Sequence, residues 1–431
     1  MTRPGYKMTE IGEIPEEWET SELRKTFKII TGTTPSTKIK KYWTGGTIEW
    51  LTPKDLSQMN DNLIISPSER KVTTDALNES NLNLLPEGSI LMSTRAPVGY
   101  VGINRAPIAF NQGCKGLVPL VSEGYSSFFY AYYLKYKREF LNSVSSGSTF
   151  KELSKERLER LVVPIPPWLE QQKIAEILST ADETIQKVND QITQTERLKK
   201  GLMQTLLTKG IGHTKFKMTG IGEIPEEWGI KALSDSCFSI TDGSHYSPQE
   251  VKGGTRLIAT VFNMDNNRII TEMCKRISDK DYDLLVKNGC KPDKGDVLFS
   301  KDGTVGVSFP YFQKDNIVLL SSIAILKPSD ILDSTFLSYF LKSENGMRQI
   351  IGLKTGSALK RITLKNLKLV KIPVPSYKEQ QKIAEILSTV DHKLELLRNK
   401  KTHLEELKKG LMEDLLTGRV RVKIETSKGE N

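Results

Sequence analysis

The chain is written twice. The run K-M-T-E-I-G-E-I-P-E-E-W at residues 7–18 returns at residues 217–228 with one change in twelve positions. E-Q-Q-K-I-A-E-I-L-S-T at 170–180 returns unchanged at 379–389, and L-K-K-G-L-M at 198–203 returns at 407–412. The offset is 209 or 210 throughout. Such a period is domain-sized, far above the roughly 20–50 residues of a solenoid repeat. A chain of 431 residues therefore folds as a tandem duplication, within the two or three domains that its length suggests.

Between the repeated blocks the sequences diverge. Residues 19–146 and 229–355 have nearly equal length but share only short echoes, such as G-S-I-L-M-S at 88–93 against G-D-V-L-F-S at 295–300. Segments repeated to the letter meet the same partner or each other. Segments of equal size and different sequence do one job on different targets. A recent duplication that drifted unevenly is the competing explanation.

The repeated blocks carry long helices. Apolar residues fall at Ile174, Ile177, Leu178, Ala181, Ile185, Val188, Ile192, Leu198, Leu202 and Leu206, and in the same frame at Ile383, Ile386, Leu387, Val390, Leu394, Leu397, Leu404, Leu407, Leu411 and Leu415. Steps of three and four make a heptad-like stripe. Ser376 and Glu379 have capping-box spacing, and Gly210 and Gly418 sit where C-terminal stops belong. Gly201 and Gly410 lie inside the stripe, where each costs about 1 kcal/mol relative to alanine; a close backbone approach or a kink would account for them. The simplest cover for two such stripes is each other, antiparallel, under a pseudo-two-fold axis with one variable domain at each end. That arrangement predicts closure: residues 7–18 should dock near the end of the second helix. The alternative is two helices that each lie on their own domain.

Composition narrows the partner. There are 62 Lys and Arg against 52 Asp and Glu, a formal net charge of +10, which points to a polyanion, most simply nucleic acid. Cys114, Cys237, Cys274 and Cys290 form no C-x-x-C pair, and His213, His245, His392 and His403 complete no ligand set, so neither a disulfide framework nor a structural zinc is expected. The N-terminus has no apolar signal core and no stretch approaches 18 apolar residues; a cytoplasmic protein with no membrane partner is expected.

Each variable segment reads as α+β. Residues 90–93, 98–103, 257–262, 297–300 and 317–326 have strand character, and 128–141 and 335–351 helix character. The first segment carries T-G-T-T-P-S-T at 31–37, then Lys38, Lys40, Lys41, Tyr42, Trp43, Trp50 and Asp55. The second carries T-D-G-S-H-Y-S-P at 241–248 and S-K-D-G-T-V-G at 300–306.

With these motifs in order, the chain resembles, over its whole length, the DNA specificity subunit of a type I restriction-modification system. G-x-T-P-S…Y-W…W…D at 32–55 resembles one class of target recognition domain, and D-G-S-H-x-x-P at 242–248 a second class. G-S-x-x-K at 147–151 and 356–360, and the I-P-P-x-x-E-Q-x-x-I-A-x-I-L run that follows the first of them, resemble the family's connector helices. The resemblance implies target recognition domains at 1–150 and 213–358, with connectors at 151–212 and 359–431 that pair as an antiparallel coiled coil. Each domain would read one half of a bipartite, asymmetric site in double-stranded DNA. The helices would set the gap between the halves and dock two methyltransferase subunits, and through them the restriction (motor-nuclease) subunits. Adenine-N6 methylation and ATP-dependent cleavage would then belong to those partners, with S-adenosylmethionine, ATP and Mg; this chain would bind no cofactor. A methylation-only or orphan DNA-binding scaffold and a structural coiled-coil adaptor are the alternatives.

The residues support a non-catalytic role. There is no G-x-x-x-x-G-K-[ST] phosphate loop and no N-P-P-aromatic run of an amino-methyltransferase. Glu250 and Lys252 form an E-x-K that a 26% charged chain produces by chance. For DNA contact, lysines and arginines neutralise phosphates, while polar loop side chains read base edges. In the first domain the candidates are Thr34, Ser36, Lys38, Lys40, Lys41, Tyr42, Arg95, Asn111, Gln112 and Lys115. Asn and Gln can pair bidentately with adenine, and Arg with guanine. Tyr42 and Trp43 read as loop anchors sooner than as stacking platforms. In the second domain the candidates are Asp242, His245, Tyr246, Arg256, Lys301 and Thr304. Ser148 with Lys151, and Ser357 with Lys360 and Arg361, begin the connectors and suit DNA-backbone contacts.

Overall fold

The computed structural model describes residues 2–59, 62–145, 152–265, 267–353 and 361–424. They divide into two compact units, one of Met1–Asn189 with Asn399–Asn431 and one of Asp190–Arg398. Both boundaries fall inside the long helices Trp168–Leu206 and Tyr377–Leu416. Each unit thus owns the first half of one helix and the last half of the other.

The two units share one plan. In the first, a four-stranded antiparallel sheet runs Phe27–Thr31, Cys114–Pro119, Ile90–Ser93, Val101–Ile103. A three-stranded sheet runs Arg70–Val72, Ile48–Leu51, Ala109–Phe110, its last pair parallel. The second unit repeats both, strand for strand: Cys237–Asp242, Ile323–Pro328, Val297–Ser300, Ser308–Pro310, then Lys275–Ile277, Arg256–Ala259, Ile317–Leu319. The α+β expectation therefore holds in both halves despite their divergent sequences.

Several expected elements break where the chain must change sheets. Residues 317–326 are two strands, because Ile317–Leu319 pairs with Arg256–Ala259 and Ile323–Pro328 pairs with Val297–Ser300. Residues 257–262 end as a strand at Ala259, where Thr260 caps a 3₁₀ turn, Val261–Asn263. Residues 98–103 become a strand only at Val101–Ile103. The helix expected at 335–351 is two, Ser334–Lys342 and Glu344–Gly352, since the Ser343 hydroxyl accepts the Gly346 N–H and starts a new helix. The helix expected at 128–141 is likewise Ser127–Tyr136 followed by Arg138–Ser143.

The letter-perfect repeats have an intrachain reason. In the first unit, Trp18 Nε1 donates to the buried Glu170 at 2.9 Å, while Gln171 takes Ser126 N–H and donates to the carbonyls of Gly124 and Pro166. In the second, Trp228 donates to Glu379 at 3.1 Å, and Gln380 takes Asp333 N–H and donates to Ile331 and Pro375. Ser376 and Glu379 therefore make only half of the expected capping box: the Ser376 hydroxyl takes Glu379 N–H, but the Glu379 carboxylate is drawn away to Trp228 and His213.

Within each unit the helix halves pack antiparallel. Ile174 and Leu178 share a core with Met412, Leu415 and Leu416, while Asp182 pairs with Lys408 and Asn189 with Lys401. In the second unit Leu206 shares a core with Ile383 and Leu387, and Lys199 pairs with Asp391 at 2.5 Å. A tyrosine from each domain joins these pairs: Tyr132 donates to Asp182 and Tyr339 to Asp391, both at 2.7 Å. Burial and the carboxylate raise both phenol pKa values, which keeps the tyrosines as donors.

Closure also holds. Tyr6 donates to the carbonyls of Gly418 and Arg419, and Arg421 pairs with Glu170 at 2.7 Å and with Glu17 at 2.8 Å. Gly210 and Gly418 have positive φ, 65° and 69°, as turns after the helix ends require. At Gly201 and Gly410 the helices run on unbroken, and an added Cβ would meet nothing within 4 Å. A close approach within the chain is therefore not what keeps either glycine. No helix among the described residues is long and apolar enough to cross a membrane.

Candidate nucleic-acid interface

Four segments converge in each unit where the chain switches sheets. In the first unit the switch is residues 111–113, between Ala109–Phe110 and Cys114–Pro119. The loop after Phe27–Thr31 lies against it so closely that a Cβ on Gly32 would come within 2.2 Å of Asn111 O and 2.4 Å of Phe110 O. Only glycine fits, and Thr33 N–H then reaches Phe110 O at 2.9 Å. Gly243 does the same in the second unit, where a Cβ would sit 2.1 Å from Leu319 O; Ser244 N–H reaches that oxygen at 2.8 Å. The glycines of G-x-T-P-S and D-G-S-H are thus one device.

A second pair of loops follows the matched strands Ile90–Ser93 and Val297–Ser300. Ser93 Oγ accepts Tyr100 N–H and donates to Pro97 O; Ser300 Oγ accepts Gly306 and Val307 N–H and donates to Thr304 O. The loops 94–99 and 301–306 are held over the switch by Thr94 N–H to Gly113 O and Lys301 N–H to Ser322 O. The fourth segment is a capped turn. Thr52 N–H donates to Asp55 and Thr260 N–H to Asn263, each at 2.8 Å. In the first unit the turn, the loop 94–99 and the switch frame a cleft of about 690 Å³, lined by Thr52, Lys54, Ser57, Arg95, Asn111 and Glu152 among others.

The candidates distribute unevenly around these segments. Thr34 donates to the Gln112 carboxamide at 2.5 Å, joining two exposed candidates. Asn111 and Arg95 line the cleft, with Arg95 paired to Glu152 at 3.1 Å. Ser36, Lys38 and Lys40 are exposed on the loop that follows Thr34. Lys41 pairs with Glu79 at 2.7 Å, which raises its pKa. Tyr42 is buried with its hydroxyl 3.1 Å from the same carboxylate, an anchor as its apolar neighbours Trp50 and Val72 require. Trp43 and Trp50 meet edge to face at 5.0 Å and donate to Ser36 O and Thr33 O, with Arg70 stacked 3.7 Å over Trp43. Lys115 is buried beneath the switch, donating to Gln112 O at 3.2 Å, and burial lowers its pKa.

In the second unit Lys301, also buried, pairs with Asp242 at 3.2 Å, and His245 lies 3.8 Å from the same carboxylate. Tyr246 and Thr304 are exposed. Arg256 stands at the far end of its strand from the capped turn, paired with Asp279 at 2.6 Å and stacked on Tyr282; it does not join the cluster. Arg361 is exposed beside it: Ile362 N–H donates to Lys301 O as Leu153 N–H does to Thr94 O. Arg361 and Asp302 thereby occupy the places of Glu152 and Arg95 with the charges reversed. Ser148, Lys151, Ser357 and Lys360 lie outside the described residues. Lys54, Ser57, Arg70 and Phe262 were not singled out from sequence. The capping-box spacing at Thr52–Asp55 and Thr260–Asn263 was the available signal.

A model of the type I restriction modification DNA specificity domain matches residues 15–197 and again 225–406. The chain belongs to that family. The specificity subunit of the type I restriction enzyme MjaIX of Methanocaldococcus jannaschii is 29% identical over 97% of this chain and 96% of its own length. The EcoBI specificity subunit of Escherichia coli is 25% identical over 69% of this chain and 67% of its own length. The type I S subunit from M. genitalium shares the fold, with a TM-score of 0.59 at 16% identity, covering 96% of this chain and 99% of that one. The family's task is DNA sequence specificity, and its members are not themselves catalytic; the catalytic activities belong to partner subunits.

Proposed function

We propose that each unit reads one half of a bipartite, asymmetric site in double-stranded DNA, and that the connectors carry two methyltransferase subunits and, through them, the restriction subunits. One observation carries the reading. The same four-segment frame presents Lys54, Arg95 and Gln112 in one unit and Phe262, Asp302 and Ser321 at the matching places in the other. One scaffold with two sets of side chains is what two different half-sites need. Residues 1–150 and 213–358 then act as target recognition domains, and 151–212 and 359–431 as connectors. S-adenosylmethionine, ATP and Mg serve the partners.

The scaffold role draws on Gly201 and Gly410. Each is exposed, costs helix stability and touches nothing in the chain, and each follows an exposed leucine, Leu198 at 55% and Leu407 at 58%. An apolar side chain beside a missing one, repeated in L-K-K-G-L-M, suits one kind of helix approaching twice. Gly201→Leu should leave the isolated chain at least as stable as before, by up to about 1 kcal/mol. It should also cut the methyltransferase subunits bound from two to one by native mass spectrometry. Two subunits bound at undiminished affinity would remove the role.

The deciding test is a methylome. The chain is co-expressed with its neighbouring methyltransferase subunit in a methylation-free bacterium, and modified bases are mapped. A split motif with two different halves and a fixed gap is expected; a contiguous or single-half motif would mean that one domain reads DNA. On that motif, Lys40→Ala should weaken binding to any sequence and lower the slope of log K against log salt by about one unit. A slope equal to wild type would take Lys40 off the phosphate backbone.

A further inference from the structure

Phe262 is 84% exposed, the most exposed large apolar side chain among the described residues. It does not hang on a loose loop. Its own N–H is bonded to the Thr260 hydroxyl, Thr260 N–H to the Asn263 carboxamide, and Asn263 Nδ2 to Met273 O at 2.8 Å. Val261 N–H donates to Ser322 Oγ in the switch, and Val261 Cγ2 lies 3.6 Å from where a Cβ on Gly303 would stand in the loop 301–306. The backbone that carries the exposed ring is therefore fixed by bonds to Ser322 in the switch and to Met273 O. Met273, 64% exposed, follows on the next 3₁₀ turn.

The position is informative because the first unit has the same turn. There the second residue after the capping threonine is Lys54, which lines the cleft. An apolar ring in the place of a cation cannot take a phosphate. What it can do against a duplex is enter the base stack: Phe and Met are among the side chains that unstack a base step and bend DNA around a protein surface.

We propose that Phe262 inserts between two base pairs of the half-site read by the second unit and bends it, an inference that rests on the DNA-reading role above. The first unit, with Lys54, leaves its half stacked. Flexible pyrimidine–purine steps are the cheapest to open, so the second half-site should carry one at the point of insertion.

The test uses the chain in complex with its methyltransferase subunit and a 30-base-pair duplex, roughly three helical turns, bearing the mapped motif. Donor and acceptor dyes at its ends report bending. Phe262→Ala should bind the motif about tenfold more weakly, the usual scale for losing one base–aromatic stack, and should lose the energy-transfer change. Phe262→Leu should restore part of both, and moving the pyrimidine–purine step by one position should mimic Phe262→Ala. Wild-type bending and affinity in Phe262→Ala would overturn the insertion. So would intact DNA binding with loss of the methyltransferase subunit, which would assign Phe262 to a protein interface. If the wild-type complex itself shows no preference for any sequence, the DNA-reading role fails first, and the insertion with it.

Discussion

Gly243→Ala should abolish reading by the second unit. The added Cβ would stand 2.1 Å from Leu319 O, 2.2 Å from Leu319 C and 2.6 Å from Leu320 C. All three are backbone atoms, so no side chain can swing aside. The loop must lift from the switch, and the bonds from Ser244 N–H to Leu319 O and from Gly243 N–H to Ile323 O go with it. Steric insertion of this kind costs roughly 1–3 kcal/mol, and each lost buried backbone bond adds about 1–3 kcal/mol. The expected result is a melting transition of the second unit lowered by many degrees and a methylated motif that loses one defined half. Gly32→Ala should do the same to the other half, through Asn111 O and Phe110 O. A Gly243→Ala chain that supports the wild-type motif at wild-type stability would mean that the switch segment is not part of the reading surface.

Removing Arg421 should destabilise the first unit and spare the second. Glu170 is fully buried, with the Arg421 guanidinium 2.7 Å away and Trp18 Nε1 donating from the other side. Breaking a buried pair from one side leaves the carboxylate without its counter-charge, at about 3–5 kcal/mol. Arg421 is about a third exposed, so water can replace part of it, and about 2–3 kcal/mol is expected for Arg421→Ala. Glu170→Gln on top of Arg421→Ala removes the stranded charge while leaving Trp18 an acceptor. The double variant should therefore be more stable than Arg421→Ala alone, measured by thermal unfolding. Equal stability of the two would show that Arg421 acts by packing and not by charge. The second unit fills the same place with His213, 2.9 Å from Glu379, and Ile211 N–H at 3.0 Å, so it has no stake in Arg421.

Much of the fold was legible because repetition and periodicity are local signals. The helix stripes, the stops at Gly210 and Gly418 and the strands at 90–93 and 297–300 all depend on neighbours within a few residues. Tyr42 stands in sequence both as a DNA-contact candidate and as an anchor, and its burial with Trp50 and Val72 makes it an anchor. Less legible was the reading surface. Lys115 and Lys301 look like any lysine in sequence, and only the burial of the strand ends that hold them turns them inward. Arg256 is likewise a strand residue whose partner, Asp279, begins the helix after the adjacent strand. Phe262 carries no motif of its own; its exposure follows from a capped turn whose threonine is one among many.

By itself, the sequence determined that the chain is two copies of one plan, joined by long amphipathic helices and diversified in between. The duplication is written in the residues, and a stripe of apolar side chains must be covered. The tertiary structure decided what the identical residues are for. Glu170 meets Arg421 across 251 positions and Lys408 meets Asp182 across 226, pairings that no local pattern encodes. It also decided that two unlike loops, G-x-T-P-S and D-G-S-H, are one solution. A glycine is required wherever one backbone must lie within hydrogen-bonding distance of another with no room for a Cβ, and only the folded chain reveals which backbone that is.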